Sequence, residues 1–116
     1  MTKVIKGDLI LKKDTTFDES LIVKGNIFGK NGIRYNLRVR GDLNCLNLNC
    51  LDLNCLNLNC DDLICWDLNC RDNVSYYAIC FAYKNIKCKS IKGRRSNCKE
   101  PFVLDGTIEI TGEVLK

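Results

Sequence analysis

The sequence contains no histidine, and only one proline, one methionine and one tryptophan among its 116 residues. Without histidine, a nucleophilic cysteine lacks its usual base, which leaves a lysine- or aspartate-assisted cysteine as the enzymatic alternative. Glycine-rich phosphate loops of known spacing are missing. Asp61 and Asp62 are adjacent carboxylates, but they stand where turn chemistry accounts for them. We therefore predict that the protein is not an enzyme and has no cofactor.

The sequence also has no CxxC motif, although it contains nine cysteines. Zinc sites usually take their ligands from close cysteine or histidine pairs, so Cys70, Cys80, Cys88 and Cys98 make a poor ligand set. The odd number of cysteines argues against a disulfide framework. We predict free, buried thiols and no metal.

No stretch approaches the roughly 20 apolar residues that cross a bilayer. The first nine residues, MTKVIKGDL, carry charge where a signal peptide needs an apolar run. A net charge of +4 also argues against a dominant acidic face of the kind that mimics nucleic acid. The expected location is the cytoplasm, which is the host cell cytosol if the protein is viral, and no membrane partner is expected.

A five-residue repeat fills the middle of the chain. From Asp42 to Arg71 the sequence reads DLNCL NLNCL DLNCL NLNCD DLICW DLNCR. Each step has a leucine that follows Asp or Asn and precedes a cysteine by two residues. The leucines are Leu43, Leu48, Leu53, Leu58, Leu63 and Leu68, and the cysteines are Cys45, Cys50, Cys55, Cys60, Cys65 and Cys70. A period of five gives neither a helix nor a long strand one apolar face, so the chain must turn once in every step.

Each step is predicted to form a three-residue strand, Leu-Asn-Cys, followed by a two-residue corner that ends in Asp or Asn. These residues suit corners because their side chains bond nearby backbone amides. In the favoured register leucine and cysteine point inward. In the alternative register Leu46, Leu51 and Leu56 share the interior with the central leucines. That register would also bury Asp61 and Trp66, which occupy the equivalent positions, and an unpaired buried carboxylate is costly.

This pattern resembles the pentapeptide-repeat family, in which Asp or Asn precedes a central Leu or Phe. The likeness covers roughly residues 41 to 71 and differs in one respect, since the small residue here follows leucine by two positions instead of preceding it. The resemblance implies a right-handed parallel β-helix with four sides and about 20 residues per coil. The expected fold class is all-β, a solenoid of pentapeptide-type repeats with five to six coils and irregular terminal coils.

Looser copies of the in-out-in pattern extend towards both ends of the chain. They predict a single β-solenoid domain over residues 1–116. Within it we expect irregular N-terminal coils over 1–40, regular five-residue repeats over 41–71, and aromatic and basic C-terminal coils or a cap over 72–116.

A basic segment runs from residue 84 to residue 99 without an acidic residue. Its charged residues are Lys84, Lys87, Lys89, Lys92, Arg94, Arg95 and Lys99. Such a segment is suited to bind an acidic protein surface or nucleic-acid phosphates. The alternative is a solvated outer face that prevents the last coil from pairing edge to edge with another chain.

Aromatic residues concentrate just before this segment. Trp66 is predicted at a corner facing solvent, where a rigid scaffold would present it as an anchor for a partner. Tyr76, Tyr77, Phe81 and Tyr83 are expected to cap the final coils or to form a homodimer contact through a terminal coil, with a partner contact as the alternative.

The stretch from residue 76 to 95, with residues 102–109 downstream, is similar to a recurring block of uncharacterised proteins from phages and mobile elements. That likeness implies a small viral or prophage protein. We therefore expect a non-enzymatic protein-binding solenoid, an anti-CRISPR-like inhibitor of host nucleic-acid-processing or antiviral defence machinery, with a host protein or nucleoprotein complex as its partner. The alternatives are a nucleic-acid-binding protein that uses the basic segment and a structural, self-assembling β-helix protein.

Overall fold

The computed structural model describes residues 2–95 and 100–111. In this part of the chain the strands pair only in parallel and form a β-solenoid, which confirms the predicted all-β fold class. A short 3-10 turn at Lys30–Gly32 interrupts the strands. None of the described segments is a helix that is long and apolar enough to span a membrane.

Each coil of the solenoid has three sides. Side 1 consists of Thr2–Ile5, Ser20–Val23, Leu43–Asn44, the first parts of Leu58–Cys65 and Asn73–Ala82, and Ser90–Gly93. Side 2 consists of Leu9–Leu11, Ile27–Gly29, Asn47–Asn49, the second parts of the same two long strands, and Phe102–Val103. Side 3 consists of Thr15–Phe17, Leu37–Val39, Asp52–Cys55, Asp67–Cys70, Ile86–Cys88 and Ile108–Ile110. Six coils result, over residues 2–19, 20–41, 42–56, 57–72, 73–89 and 90–111, of which 96–99 lie outside the described part.

The expectation of four sides and about 20 residues per coil is therefore wrong. In the regular repeat Leu58 pairs with Leu43 and Leu68 pairs with Leu53, so one coil takes 15 residues, or three steps. The five-residue step fixes the length of a side but not the number of sides. The number of coils still agrees with the expected five to six, because loops lengthen the irregular coils. The likeness to the pentapeptide-repeat family thus rests on the step and not on the shape of the coil.

Leucine and cysteine side chains fill the interior, as the favoured register predicts. All six leucines and all six cysteines of the repeat are at most 4% exposed. The alternative register does not occur, since Leu46 is 45% exposed and Leu51, Leu56, Asp61 and Trp66 are at most half-buried. A three-sided coil encloses a narrow space, and the small thiols fit beside the corners where the walls converge. Dense packing of this kind is the main source of stability in a protein interior.

The Asp and Asn residues at the corners connect one coil to the next. The side-chain oxygen of Asp8 accepts the backbone N–H of Asn26 at 2.8 Å, and Asp67 accepts that of Asn85 at 3.1 Å. The same contact joins the Asn57 oxygen to the Asn73 N–H at 3.0 Å on side 1. The sequence predicts that these side chains bond nearby backbone amides, and the amides that they bond belong to the equivalent corner of the next coil. This contact accounts for the recurrence of Asp or Asn at the corners.

The N-terminal end of the stack carries a positive charge. Lys3 is in register with Leu21, in the column that leucines occupy in later coils. Its Nζ lies 5.6 Å from the centroid of the Phe17 ring, which ends another inward column. A charged residue on an edge strand disfavours pairing with a second chain. Lys3 is thus placed to protect the first coil from edge pairing, which is the role that the alternative interpretation gives to the basic segment at the other end.

Candidate interaction surface

The solenoid distributes the basic segment around its whole circumference. Lys84 lies at the edge between sides 2 and 3, Lys89 at the edge between sides 3 and 1, and Arg94 at the edge between sides 1 and 2. Lys87 points outward on side 3 and Lys92 on side 1. Residues five apart occupy successive edges because each side takes about five residues. The described residues of the basic segment therefore form a collar around coils 5 and 6, and not one flat patch.

Two residues of this collar are engaged within the protein. The Lys84 Nζ lies 3.4 Å from the Asp105 carboxylate. The Arg94 guanidinium donates to the Cys60 carbonyl at 2.6 Å, lies 3.3 Å from the Asp61 carboxylate and sits over the Tyr77 ring. Arg94 reaches this carbonyl at a bulge, where coil 5 has one more residue than coil 4. Both side chains therefore contribute to the fold, which makes them weaker candidates for a partner contact.

The remaining predicted partner residues have different surroundings. Arg95 is exposed at the edge between sides 1 and 2, and its backbone N–H donates to the Tyr77 carbonyl. Trp66 is half-buried and stacks on Tyr83, with ring centroids 4.2 Å apart. It is thus an edge residue with an internal partner and not a freely presented anchor. Lys99 and the zinc candidate Cys98 lie outside the described residues.

Side 2 carries an apolar stripe that runs the length of the solenoid. The outward residues of its strands, from coil 1 to coil 6, are Ile10, Phe28, Asn49, Ile64, Phe81 and Phe102. Ile10 is 45% and Phe102 54% exposed, and the Phe81 and Phe102 rings stack with centroids 5.6 Å apart. A parallel sheet that exposes such a row is unusual, because parallel sheets are generally covered on both faces.

On sides 3 and 1 the outward residues of the strands are mainly polar. Side 3 presents Thr16, Arg38, Asn54, Asn69, Lys87 and Glu109. Side 1 presents Val4, Ile22, Asn44, Asn59, Ser75 and Lys92, so it is apolar only in its first two coils. Contiguous exposed apolar surface on one side of a molecule marks an interaction site more often than scattered apolar residues do.

Sequence reasoning missed this stripe, and one signal for it was available. In the regular repeat the residue after each inward leucine is Asn, except at Ile64. That single replacement marks the outward position of side 2. Ile10, Phe28, Phe81 and Phe102 lie in irregular coils, and only the pairing of strands shows that they share one column.

Burial protects the described cysteines from reaction with solvent reagents. Burial raises the pKa of Cys50 and of Cys60 to about 12, and that of Cys88 to about 11. It also raises the pKa of Cys45 and Cys80. Cys70 differs, because its hydrogen bond with Cys55 lowers the pKa of its thiol, but the residue is only 2% exposed and its thiol donates to the Leu56 carbonyl at 2.9 Å. In the described part of the chain no cluster of Cys, Asp and Glu side chains could hold a metal ion. The positions of these thiols indicate that they fill the interior.

Brief alkylation of the native protein should therefore label at most one of its nine cysteines. The eight described cysteines are all buried, and only the thiolate reacts. Mass spectrometry after a short exposure to iodoacetamide at pH 8 would count the labels, with the protein unfolded in guanidinium as the fully labelled reference. A Cys98→Ser variant should show no rapid label. Rapid labelling of two or more sites in the native state would contradict the packed interior.

Two carboxylates face each other on side 3. Asp52 is in register with Asp67, and both occupy the corner position that is Asn36 in coil 2 and Asn85 in coil 5. Burial, followed by the nearby charge of Asp67, raises the pKa of Asp52. Folded Asp52 thus holds its proton more tightly than unfolded Asp52 does. Protonation consequently favours the folded state, and this contribution is lost as the pH rises through the raised pKa.

Replacing Asp52 by Asn should raise Tm at pH 7 by about 2–4 °C, because like charges opposite each other in a sheet are destabilising and exposed pairs are worth roughly 0.5 kcal/mol. The gain should shrink as the pH falls through the raised pKa of Asp52, because a protonated Asp52 no longer repels Asp67. Thermal unfolding across pH tests this. The control is Asp42→Asn, since Asp42 lies between Ser20 and Asn57 and faces no carboxylate. An equal gain in both variants would show that the Asp52–Asp67 pair is not the cause.

The architecture defines the class of protein as a three-sided parallel β-solenoid with one apolar side. Comparison of the chain with family models, with curated proteins and with solved structures gave no match. The function must therefore be inferred from the surface of the solenoid.

Proposed function

We propose that the protein acts by binding another protein and not by catalysis, as a phage or mobile-element inhibitor of host nucleic-acid-processing or antiviral defence machinery in the host cytosol. One observation carries the binding role, namely the segregation of exposed apolar residues to side 2 of a prism whose other sides are mainly polar. Strand pairing fixes the spacing of the outward residues, so little ordering entropy is lost when they meet a partner. The viral and inhibitory part of the proposal is supported by the resemblance of the C-terminal block.

An inhibition assay tests this proposal directly. The full chain would be expressed in bacteria that carry restriction or RNA-guided defence systems, and the plating of a targeted phage would be measured for each system. Purified protein would then be titrated against the nuclease of any system that it blocks. We expect inhibition that saturates near equimolar protein and does not grow with incubation time, as a binder requires. Inhibition at far lower amounts, or none in any system, would overturn the proposal.

Nucleic-acid binding is the second candidate, and one part of the collar favours it. Lys89 lies at the edge between sides 3 and 1, with Arg71 one coil below, and Lys87 and Lys92 point outward on either side of it. Four such contacts predict a slope of about −3 to −4 in a plot of log affinity against log salt, whereas a patch of the whole segment would give about −6. Filter binding with DNA and RNA across salt concentrations measures the slope. No salt-sensitive binding would remove this candidate.

Self-association, including a homodimer through a terminal coil, is the third candidate. The charge of Lys3 at the first coil disfavours end-to-end growth through that end. Light scattering over a range of concentrations tests for self-association. A mass equal to that of one chain at every concentration would exclude it.

A further inference from the structure

We infer that side 2 is the binding surface for an amphipathic α-helix of a partner protein, whose apolar face covers the stripe and whose acidic flanks meet the two edges of that side. The inference rests on the proposed function in one respect, that the partner is a protein. Its first support is the stripe itself, in which five of the six outward positions from Ile10 to Phe102 are apolar.

The distribution of charge is the second support. Side 2 and its two edges carry nine basic and six acidic residues, whereas all other described surfaces together carry seven basic and seven acidic residues. The basic residues are Lys6, Lys24, Arg94 and Arg95 at one edge and Lys12, Lys13, Lys30, Arg34 and Lys84 at the other. Arg94 and Lys84 already pair with Asp61 and Asp105, so the six in coils 1 and 2 are the candidates for the acidic flanks of a partner. The net positive charge of the described chain therefore surrounds the apolar stripe. A partner that matches this side needs apolar and anionic groups together.

The dimensions of the side suit a helix. Six coils spaced about 4.8 Å apart give a stripe about 24 Å long, which corresponds to about 16 residues of α-helix. Three-residue strands make the flat part about 10 Å wide, close to the diameter of a helix. A helix along the solenoid axis would thus place its apolar residues on the stripe and its flanking residues over the two edges. This is the usual way in which an amphipathic helix is recognised.

The positions of the charges argue against other occupants. The basic residues of the edges lie in coils 1, 2, 5 and 6, while coils 3 and 4 have Leu46, Leu51, Asp61 and Trp66 at these edges. A nucleic-acid strand along the stripe would bring its phosphates against Asp61 and Asp62. The stripe does offer the rings of Phe28, Phe81 and Phe102 for base stacking, so these two carboxylates are what disfavours a nucleic acid. A second copy would set basic edges against basic edges. Antiparallel packing would oppose Lys6 and Arg94, and parallel packing would oppose Lys6 and Lys12.

Selection from a displayed library of random peptides of about 18 residues tests the inference with the full chain as bait. We expect enriched sequences with apolar residues at helical spacing and Asp or Glu beside them. A synthetic copy of the best peptide, measured by fluorescence anisotropy, should bind Ile64→Glu and Phe102→Glu variants at least about tenfold more weakly than wild type. Asn69→Glu, which adds the same charge on side 3 of the same coil as Ile64, should bind as wild type does.

The edges are tested by a second matched pair of variants. Lys24→Glu at the edge of side 2 should weaken the peptide several-fold, and Lys92→Glu on side 1 should not. Circular dichroism must show that every variant is folded.

The inference is overturned by any of four results. The first is that no peptide is enriched, and the second is that the enriched peptides lack acidic residues. The third is that the control variants lose as much peptide affinity as the side 2 variants do. The fourth is that a single-stranded oligonucleotide or a second copy of the chain binds side 2 and is displaced by Phe102→Glu. Failure of the proposed function is a separate outcome. If peptides bind side 2 but no defence system is inhibited, the function is wrong and the surface stands. If inhibition survives Ile64→Glu and Phe102→Glu, the function stands and this surface is not its basis.

Discussion

Replacing Leu63 by alanine is expected to lower the free energy of unfolding by about 3 kcal/mol, within the range found for buried leucines in packed interiors. Leu63 is fully buried and lies between Leu48 of the preceding coil and Cys80 of the following one. The narrow interior is walled by hydrogen-bonded strands and cannot collapse around the lost side chain. Chemical unfolding followed by circular dichroism measures the loss.

The matched control for this prediction is the next residue along the same strand. Ile64 is similar in size but points outward and is 38% exposed. Ile64→Ala should cost less than about 1 kcal/mol, mainly through the lower β-propensity of alanine. Equal costs at the two positions, or a larger cost at Ile64, would mean that the register of the repeat is reversed.

Cysteines introduced at Asn54 and Asn69 should form a disulfide with each other. These residues are 15 apart, point outward on side 3 and are in register on neighbouring strands. Their Cα atoms should therefore lie about 4.8 Å apart, within the range that a disulfide spans. Closing a loop of this length should stabilise the protein by up to about 3 kcal/mol. Mass spectrometry and thermal unfolding under oxidising and reducing conditions, in a Cys98→Ser background, measure both effects.

Asn49 and Asn69 provide the control for that pair. They are 20 residues apart and would be neighbours in a four-sided coil, but here they lie on sides 2 and 3. Cysteines at these two positions should stay reduced under the same conditions. A disulfide between positions 49 and 69, with none between 54 and 69, would restore the four-sided coil.

The inward register could be predicted from the sequence because the repeat itself contains the contrast that decides it. The position of Leu46 is filled by Asp61 one coil later, and that of Leu51 by Trp66, so this position tolerates charge and bulk. The positions of Leu48 and Cys50 never vary in type within the repeat. Only a position that faces solvent accepts such a range, because an unpaired buried carboxylate costs several kcal/mol.

The number of sides could not be predicted in the same way. All six steps have nearly the same residues, so nothing in them marks where one coil ends. The three-sided shape also explains how the basic residues are distributed. Lys84, Lys89 and Arg94 are close in sequence, but each five-residue side carries the chain to another edge. The apolar stripe could not be predicted for the opposite reason. Phe28 and Phe81 are far apart in sequence, and only the pairing of the coils brings them into one column.

The contact of Arg94 with coil 4 bears on how the protein opens. In a solenoid each coil generally interacts with its immediate neighbours alone, so terminal coils can fray one at a time. Arg94 belongs to coil 6, yet it bonds the Cys60 carbonyl and Asp61, two coils below. Coil 6 therefore cannot detach without releasing a group that also spans coil 5. The backbone amides of coils 5 and 6 should therefore exchange together, as one cooperative unit. The amides of the first coils should exchange one coil after another, starting from the N-terminus.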